Sequence, residues 1–170
     1  LGDPGLEFIQ EFLYIYSPEG SADVCMRTSY ANALTRVATR TQWTKFLRIL
    51  LETKGALLFH CFDGKDRTGI AGLLVLKLLG FDDDTVREDY LLSNPYTMGK
   101  VLWCEKMVAP IRDKHNYLAD QLVKFQQVQI SWIDAALQKF NELGGYPTYF
   151  IDYLGLTQEE LDKFRAKFLK

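Results

Sequence analysis

Apolar positions recur at three- and four-residue steps through Leu34, Val37, Trp43, Phe46, Leu47, Leu50 and Leu51. That spacing predicts one amphipathic helix, with Gly55 placed to end it. Residues 56–59, Ala-Leu-Leu-Phe, are wholly apolar, and so short a run after a helix stop predicts a buried strand. Residues 70–79 are apolar almost all round, as in a helix buried against a sheet, and Gly80 closes the pattern. Asp82-Asp83-Asp84-Thr85 opens a further helix, its acidic first turn suited to the positive end of the helix dipole. That helix is expected to run to about Ser93, with Pro95 ending the segment. Residues 98–141 read as mostly helical with a break near Pro110, and Gly144-Gly145-Tyr146-Pro147 reads as a turn. A capping box, Thr157-Gln158-Glu159-Glu160, opens the last helix; its charges Lys163, Arg165 and Lys167 read as a solvated face. At the other end, residues 6–9 and 12–16 are strand candidates bracketed by turn residues. With no repeat, low-complexity tract or linker, residues 1–170 read as a single domain.

Composition narrows the function classes. The chain has 170 residues, 48% hydrophobic and 25% charged, which suits one globular core. A formal net charge of -2 gives no bulk attraction to nucleic acid, so any anion site must be local. Three widely spaced cysteines, Cys25, Cys61 and Cys104, read as free thiols in a reducing, cytoplasmic setting rather than as a disulfide framework. No signal peptide is visible, although export stays open. The apolar stretch at 70–80 is interrupted by Lys77 and is too short to be an integral membrane segment.

The chemistry concentrates in His60-Cys61-Phe62-Asp63-Gly64-Lys65-Asp66-Arg67-Thr68-Gly69, between the predicted strand and the buried helix. A strand feeding a short loop into a helix N-terminus aims successive backbone amides at one point, an arrangement suited to phosphate. Cysteine at the first loop position would sit in a field that favours thiolate. A thiolate attacks phosphorus and also leaves from a phosphocysteine. Arg67, six residues on, can return to grip two phosphate oxygens with its planar fork. Gly64 permits the tight loop and Gly69 close helix packing. His60 and Cys61 do not share metal-ligand spacing with Cys25, Cys104 or His115. Gly64-Lys65 lacks the other residues of a nucleotide-binding loop. Cys25 and Cys104 read as structural thiols, a reversible disulfide to Cys61 being the alternative.

This segment resembles the signature loop of the protein tyrosine phosphatase superfamily, Cys-(five residues)-Arg-(Ser or Thr). Its Gly-Lys-Asp-Arg-Thr-Gly ending is most similar to bacterial and fungal tyrosine phosphatases that also accept phosphoinositides. Asp89 to Asn94 and the closing Leu-Gly-Leu-Thr-x-Glu-Glu-Leu extend the likeness. The resemblance implies an α/β fold, a phosphotyrosine-phosphatase-like parallel sheet flanked by helices, here without the family's N-terminal strands. A second chain is one expected supplier of those strands. It implies Cys61 as nucleophile, Arg67 as phosphate clamp and Thr68 as donor to the thiolate. His60 would order the loop, and Phe62, Asp63, Gly64 and Lys65 would line the substrate site. Lys65 would add positive charge for multiply charged substrates. Asp66 is the first choice for the general acid, with Asp23 as fallback. Relatives carry a small residue where this chain has Asp63, whose carboxylate would oppose phosphate unless it points outward. The implied substrates are phosphorylated proteins or phosphoinositides, with no metal or organic cofactor. The alternative is a catalytically silent phosphate-binding module. Residues 101–129 are expected as a helical lid over the pocket.

Overall fold

A computed structural model describes residues 21–169; the strand candidates at 6–9 and 12–16 lie outside them. The order is α1 (Ala22–Thr35), α2 (Val37–Glu52), α3 (Asp66–Leu79), α4 (Asp83–Leu91) and α5 (Ser93–Val108). A short 3-10 turn (Ala109–Ile111) leads to α6 (Arg112–Lys124) and α7 (Ile130–Glu142). A single turn, α8 (Gly145–Thr148), then runs into a wide turn (Tyr149–Tyr153) and α9 (Gln158–Phe168).

Where one helix is expected across Leu34 to Leu51, the structure has two, broken at Arg36, whose backbone is extended. The last carbonyls of α1 find partners outside the helix. Trp43 Nε1 donates to Ala33 O at 2.7 Å, the Tyr149 hydroxyl to Leu34 O at 3.2 Å, and the Tyr153 hydroxyl to Thr35 O at 2.7 Å. With those acceptors satisfied by side chains, continuing the helix gains nothing. The second helix ends at Glu52, before Gly55. Pro95 likewise does not end a segment but lies in the first turn of α5, where its missing N–H has no intrahelical acceptor to lose. The break at Pro110 is present as the 3-10 turn.

The buried helix α3 is the centre of the molecule. Ile70, Ala71, Leu73, Leu74 and Leu78 are buried, and Gly80, at φ 93°, closes the helix in the left-handed conformation. Around α3 pack α1, α2, α4, α7 and α9, with Tyr30, Leu34, Leu47, Trp132, Phe140, Tyr149, Leu161 and Phe164 in one core. The capping box forms at the start of α9. That helix is not merely solvated on its basic side: Arg165 donates to Leu78 O at 3.3 Å, and Lys167 to Leu50 O and Leu51 O at 2.7 and 2.9 Å. Two cations therefore cap the carbonyl ends of α3 and α2. A smaller core of Cys104, Val108 and Ala119 joins α5 to α6, the region expected as a lid.

The expected parallel sheet is not seen among the described residues. Residues 56–59 alternate like a strand. Leu57 and Phe59 are half-buried, with the Phe59 ring edge-on to Phe46 at 5.1 Å, whereas Ala56 is exposed and Leu58 is 89% exposed. No other described segment pairs with this run, and a sheet exists only where a neighbour takes a strand's backbone groups.

Candidate active site

The loop enters from Phe59, which packs on α2, and leaves as α3. Gly64, at φ 72°, makes the turn that a residue with a side chain would resist. Lys65 then caps α3, whose first residues are Asp66, Arg67 and Thr68. Gly69 lies against α4: a Cβ there would sit 2.7 and 2.8 Å from the Tyr90 ring. Helix α4 can approach the base of the loop only because that side chain is missing.

The Cys61 sulfur is the focus. Partial burial pushes its thiol up, but the Thr68 hydroxyl and the amides of Thr68, Gly64 and Lys65 outweigh that effect and bring it down to about 7. These donors come from the Gly64 turn, the Lys65 cap and the first turn of α3. The Thr68 hydroxyl is buried and meets no acceptor at ordinary hydrogen-bond geometry. By contrast, burial pushes the Cys25 thiol up, and burial followed by Glu105 does the same to Cys104. All three cysteines are free.

Cys61, His60, Arg67 and Thr68 line a cleft of about 300 Å³ with Gln42, Trp43, Phe46, Phe59 and Ala71. Its aromatic wall is a chain of edge-to-face contacts, Trp43 to Phe46 at 6.2 Å and Phe46 to Phe59 at 5.1 Å. Arg67 is exposed and also borders a neighbouring cavity with Cys25, Asn32 and Arg36. No ion pair to a described residue holds its guanidinium. His60 Nδ1 lies 2.8 Å from Cys61 O, a bond that steadies the first loop peptide when that nitrogen carries the proton.

The remaining loop side chains turn elsewhere. Phe62 is 91% exposed, with the Lys100 ammonium 5.6 Å from its ring centroid. Asp63 forms an ion pair with the same Lys100 of α5, which gives the carboxylate a partner other than the phosphate site. Lys65 is only 3% exposed. Its ammonium donates to Asp66 Oδ1 and Oδ2 at 3.0 and 2.8 Å and lies 5.8 Å from the Trp132 ring centroid. Asp66 also accepts from the Tyr30 hydroxyl at 2.8 Å. The fallback acid, Asp23, is occupied by α7: its Oδ1 accepts from Ser131 Oγ at 2.6 Å and Trp132 Nε1 at 3.0 Å. Neither Asp23 nor Asp66 is among the residues lining the Cys61 cleft, although Asp66 precedes Arg67 in the chain.

Sequence reasoning gave no site role to Tyr30, Tyr90, Trp132 or Lys100. None lies in the loop, and no spacing within the loop points to them. Among the described residues no three His, Cys, Asp or Glu side chains gather as a metal-binding group, and no helix is long and apolar enough to cross a membrane.

The sequence pattern of the tyrosine phosphatase family matches residues 11–170. The triple specificity protein phosphatase PtpB of Mycobacterium tuberculosis is 30% identical over 129 residues, covering 71% of this chain and 46% of that protein. A tyrosine-protein phosphatase of Nostoc commune is 44% identical over 55 residues, 32% of this chain and 19% of that one. The chain thus aligns with about half of the mycobacterial relative and about a fifth of the cyanobacterial one.

Proposed function

The chain belongs to the tyrosine phosphatase family, and from that premise we propose that it hydrolyses phosphate monoesters with Cys61 as nucleophile. One observation carries the reading: Cys61 lines one cleft with Arg67 and Thr68, where the loop turns into α3, and the Thr68 hydroxyl and loop amides bring its thiol down to about 7. A cysteine kept only for packing has no use for such an arrangement.

In the first step the thiolate attacks phosphorus. The S–P bond forms as the P–O bond to the leaving alcohol breaks. The loop amides and Arg67 take the equatorial oxygens, where charge concentrates in the transition state. Asp66 gives its proton to the departing oxygen. In the second step a water attacks the phosphocysteine, Asp66 takes its proton, and inorganic phosphate leaves as the thiolate reforms. These residues need no metal or organic cofactor for that sequence.

The aromatic wall of Trp43, Phe46 and Phe59 suits an aryl ester, so phosphotyrosine in proteins is the proposed first substrate. Phosphoinositides are the second substrate class, proposed from the resemblance of the loop. Preference for a multiply charged headgroup would require Lys65 to leave Asp66, because its ammonium is engaged there. We also take residues 56–59 for one strand of the family's parallel sheet. Its edge, unpaired among the described residues, is the place where further strands, from this chain or a second one, would add.

The test is phosphate release from p-nitrophenyl phosphate by the wild-type chain and by Cys61→Ser, each with and without EDTA. Turnover that withstands EDTA and vanishes in the variant supports the reading. Absence of turnover with vanadate still bound would replace it with a silent phosphate-binding module.

A further inference from the structure

Two tyrosines outside the signature loop reach the proposed acid. Tyr30, on α1, is 2% exposed and spends its one hydroxyl hydrogen on Asp66 Oδ1 at 2.8 Å. The Tyr90 hydroxyl of α4 lies 2.7 Å from that of Tyr30. Because Tyr30 donates to Asp66, Tyr90 is the donor in this second bond, and the order is Tyr90 to Tyr30 to Asp66. Burial pushes both phenols far above their ordinary range, with Tyr90 and Asp66 adding to the effect at Tyr30. Both therefore stay neutral donors. The rings meet edge to face at 5.9 Å, and Trp132 of α7 lies 6.2 Å from Tyr30 and beneath the Lys65 ammonium.

The consequence for Asp66 is geometric. Lys65 holds both carboxyl oxygens from one side, but it is a flexible point charge from the adjacent residue. Tyr30 holds Oδ1 from a different helix, and its ring is fixed by the core, so it defines a direction that Lys65 cannot. The Asp66 side chain keeps 30% exposure despite these donors. Proton transfer is sensitive to such placement, since small misalignments cost large factors in rate. The close approach that brings Tyr90 into the chain depends on Gly69 of the loop, so loop and tyrosine pair are built to fit each other.

We propose that Tyr30, backed by Tyr90, is a positioning residue that fixes the Asp66 carboxyl for proton transfer to the leaving group. This rests on Asp66 being the general acid. The experiment therefore compares Tyr30→Phe, Tyr90→Phe and Asp66→Asn on two esters: p-nitrophenyl phosphate, whose leaving group departs without a proton, and phenyl phosphate, whose leaving group needs one. The quantity read is kcat/KM, which reports the steps up to transfer of phosphorus to sulfur. Asp66→Asn is expected to lose about 100-fold on phenyl phosphate and several-fold less on the nitrophenyl ester. Tyr30→Phe is expected to lose about tenfold on phenyl phosphate and about threefold on the nitrophenyl ester. If Asp66→Asn discriminates between the esters and Tyr30→Phe loses equally on both, or on neither, the positioning role is overturned while the acid stands. If Asp66→Asn itself does not discriminate, the acid assignment falls and the inference with it. Should Tyr30→Phe not fold, as judged by its melting midpoint, Tyr90→Phe decides. It keeps the bond to Asp66 but loses the donor behind it, so a smaller loss of the same selectivity is expected, and equal losses would overturn the proposal.

Discussion

Replacing Thr68 by valine removes one hydroxyl from behind Cys61 while keeping the side-chain volume at the start of α3. The Cys61 thiol lies at about 7 because four donors outweigh partial burial, the Thr68 hydroxyl ranking first among them. At that value about half of the molecules carry the thiolate at pH 7, against about 3% for an ordinary thiol near 8.5. Three amide donors remain in the variant, so its inflection is expected at about 8 and its thiolate fraction at pH 7 near one tenth. Alkylation by iodoacetamide at pH 7 should therefore slow about fivefold, with an unchanged plateau at alkaline pH. The stability linkage has a definite sign. A folded value below the unfolded one contributes stability that is present above about pH 8.5 and lost as pH falls through about 7. The variant should show less of that loss. Because the Thr68 hydroxyl has no ordinary partner, valine should not lower the melting midpoint measured near pH 6. An inflection that stays at about 7 would refute the assignment of Thr68 as the leading donor.

Gly69→Ala would drive a Cβ into the buried Tyr90 ring and should cost about 1–3 kcal/mol in urea unfolding. An unchanged midpoint would show that α3 and α4 are not in close contact there. Lys100→Met removes the partner of Asp63, a half-exposed pair, so its stability cost should stay below about 1 kcal/mol. A larger loss in the same urea assay would mean that the pair anchors the loop. Thr157→Ala breaks the capping box of α9 and should cost about 1 kcal/mol, read as a lowered thermal midpoint.

What was legible in the sequence was what lies close together in it. Cys61, Arg67, Thr68 and the start of α3 fall within one short segment, so one loop-to-helix argument covers them all, and the local pattern likewise reveals Gly80 and the Thr157 capping box. What it hid depends on distant partners. The break at Arg36 exists because Trp43, Tyr149 and Tyr153 take the last carbonyls of α1, and nothing in the local periodicity announces them. Arg165 and Lys167 look solvated until the carbonyl ends of α3 and α2 are seen beneath them. The Asp63 carboxylate looked hostile to phosphate because Lys100 is 37 residues away. Tyr30 and Tyr90 are 60 residues apart and meet at Asp66 only through the packing of three helices. Residues 56–59 keep the alternation expected of a strand, but a sheet is a property of pairing, and a single run shows only one side of a pair.

The most direct test of the central claim is to trap the covalent intermediate. The chain is mixed with an excess of p-nitrophenyl phosphate, quenched in acid during turnover, digested, and mapped by mass spectrometry. A phosphoryl group on the peptide holding Cys61, absent in Cys61→Ser, is the predicted result. Phosphate release with no adduct on that peptide, or with the adduct on another residue, would contradict cysteine catalysis.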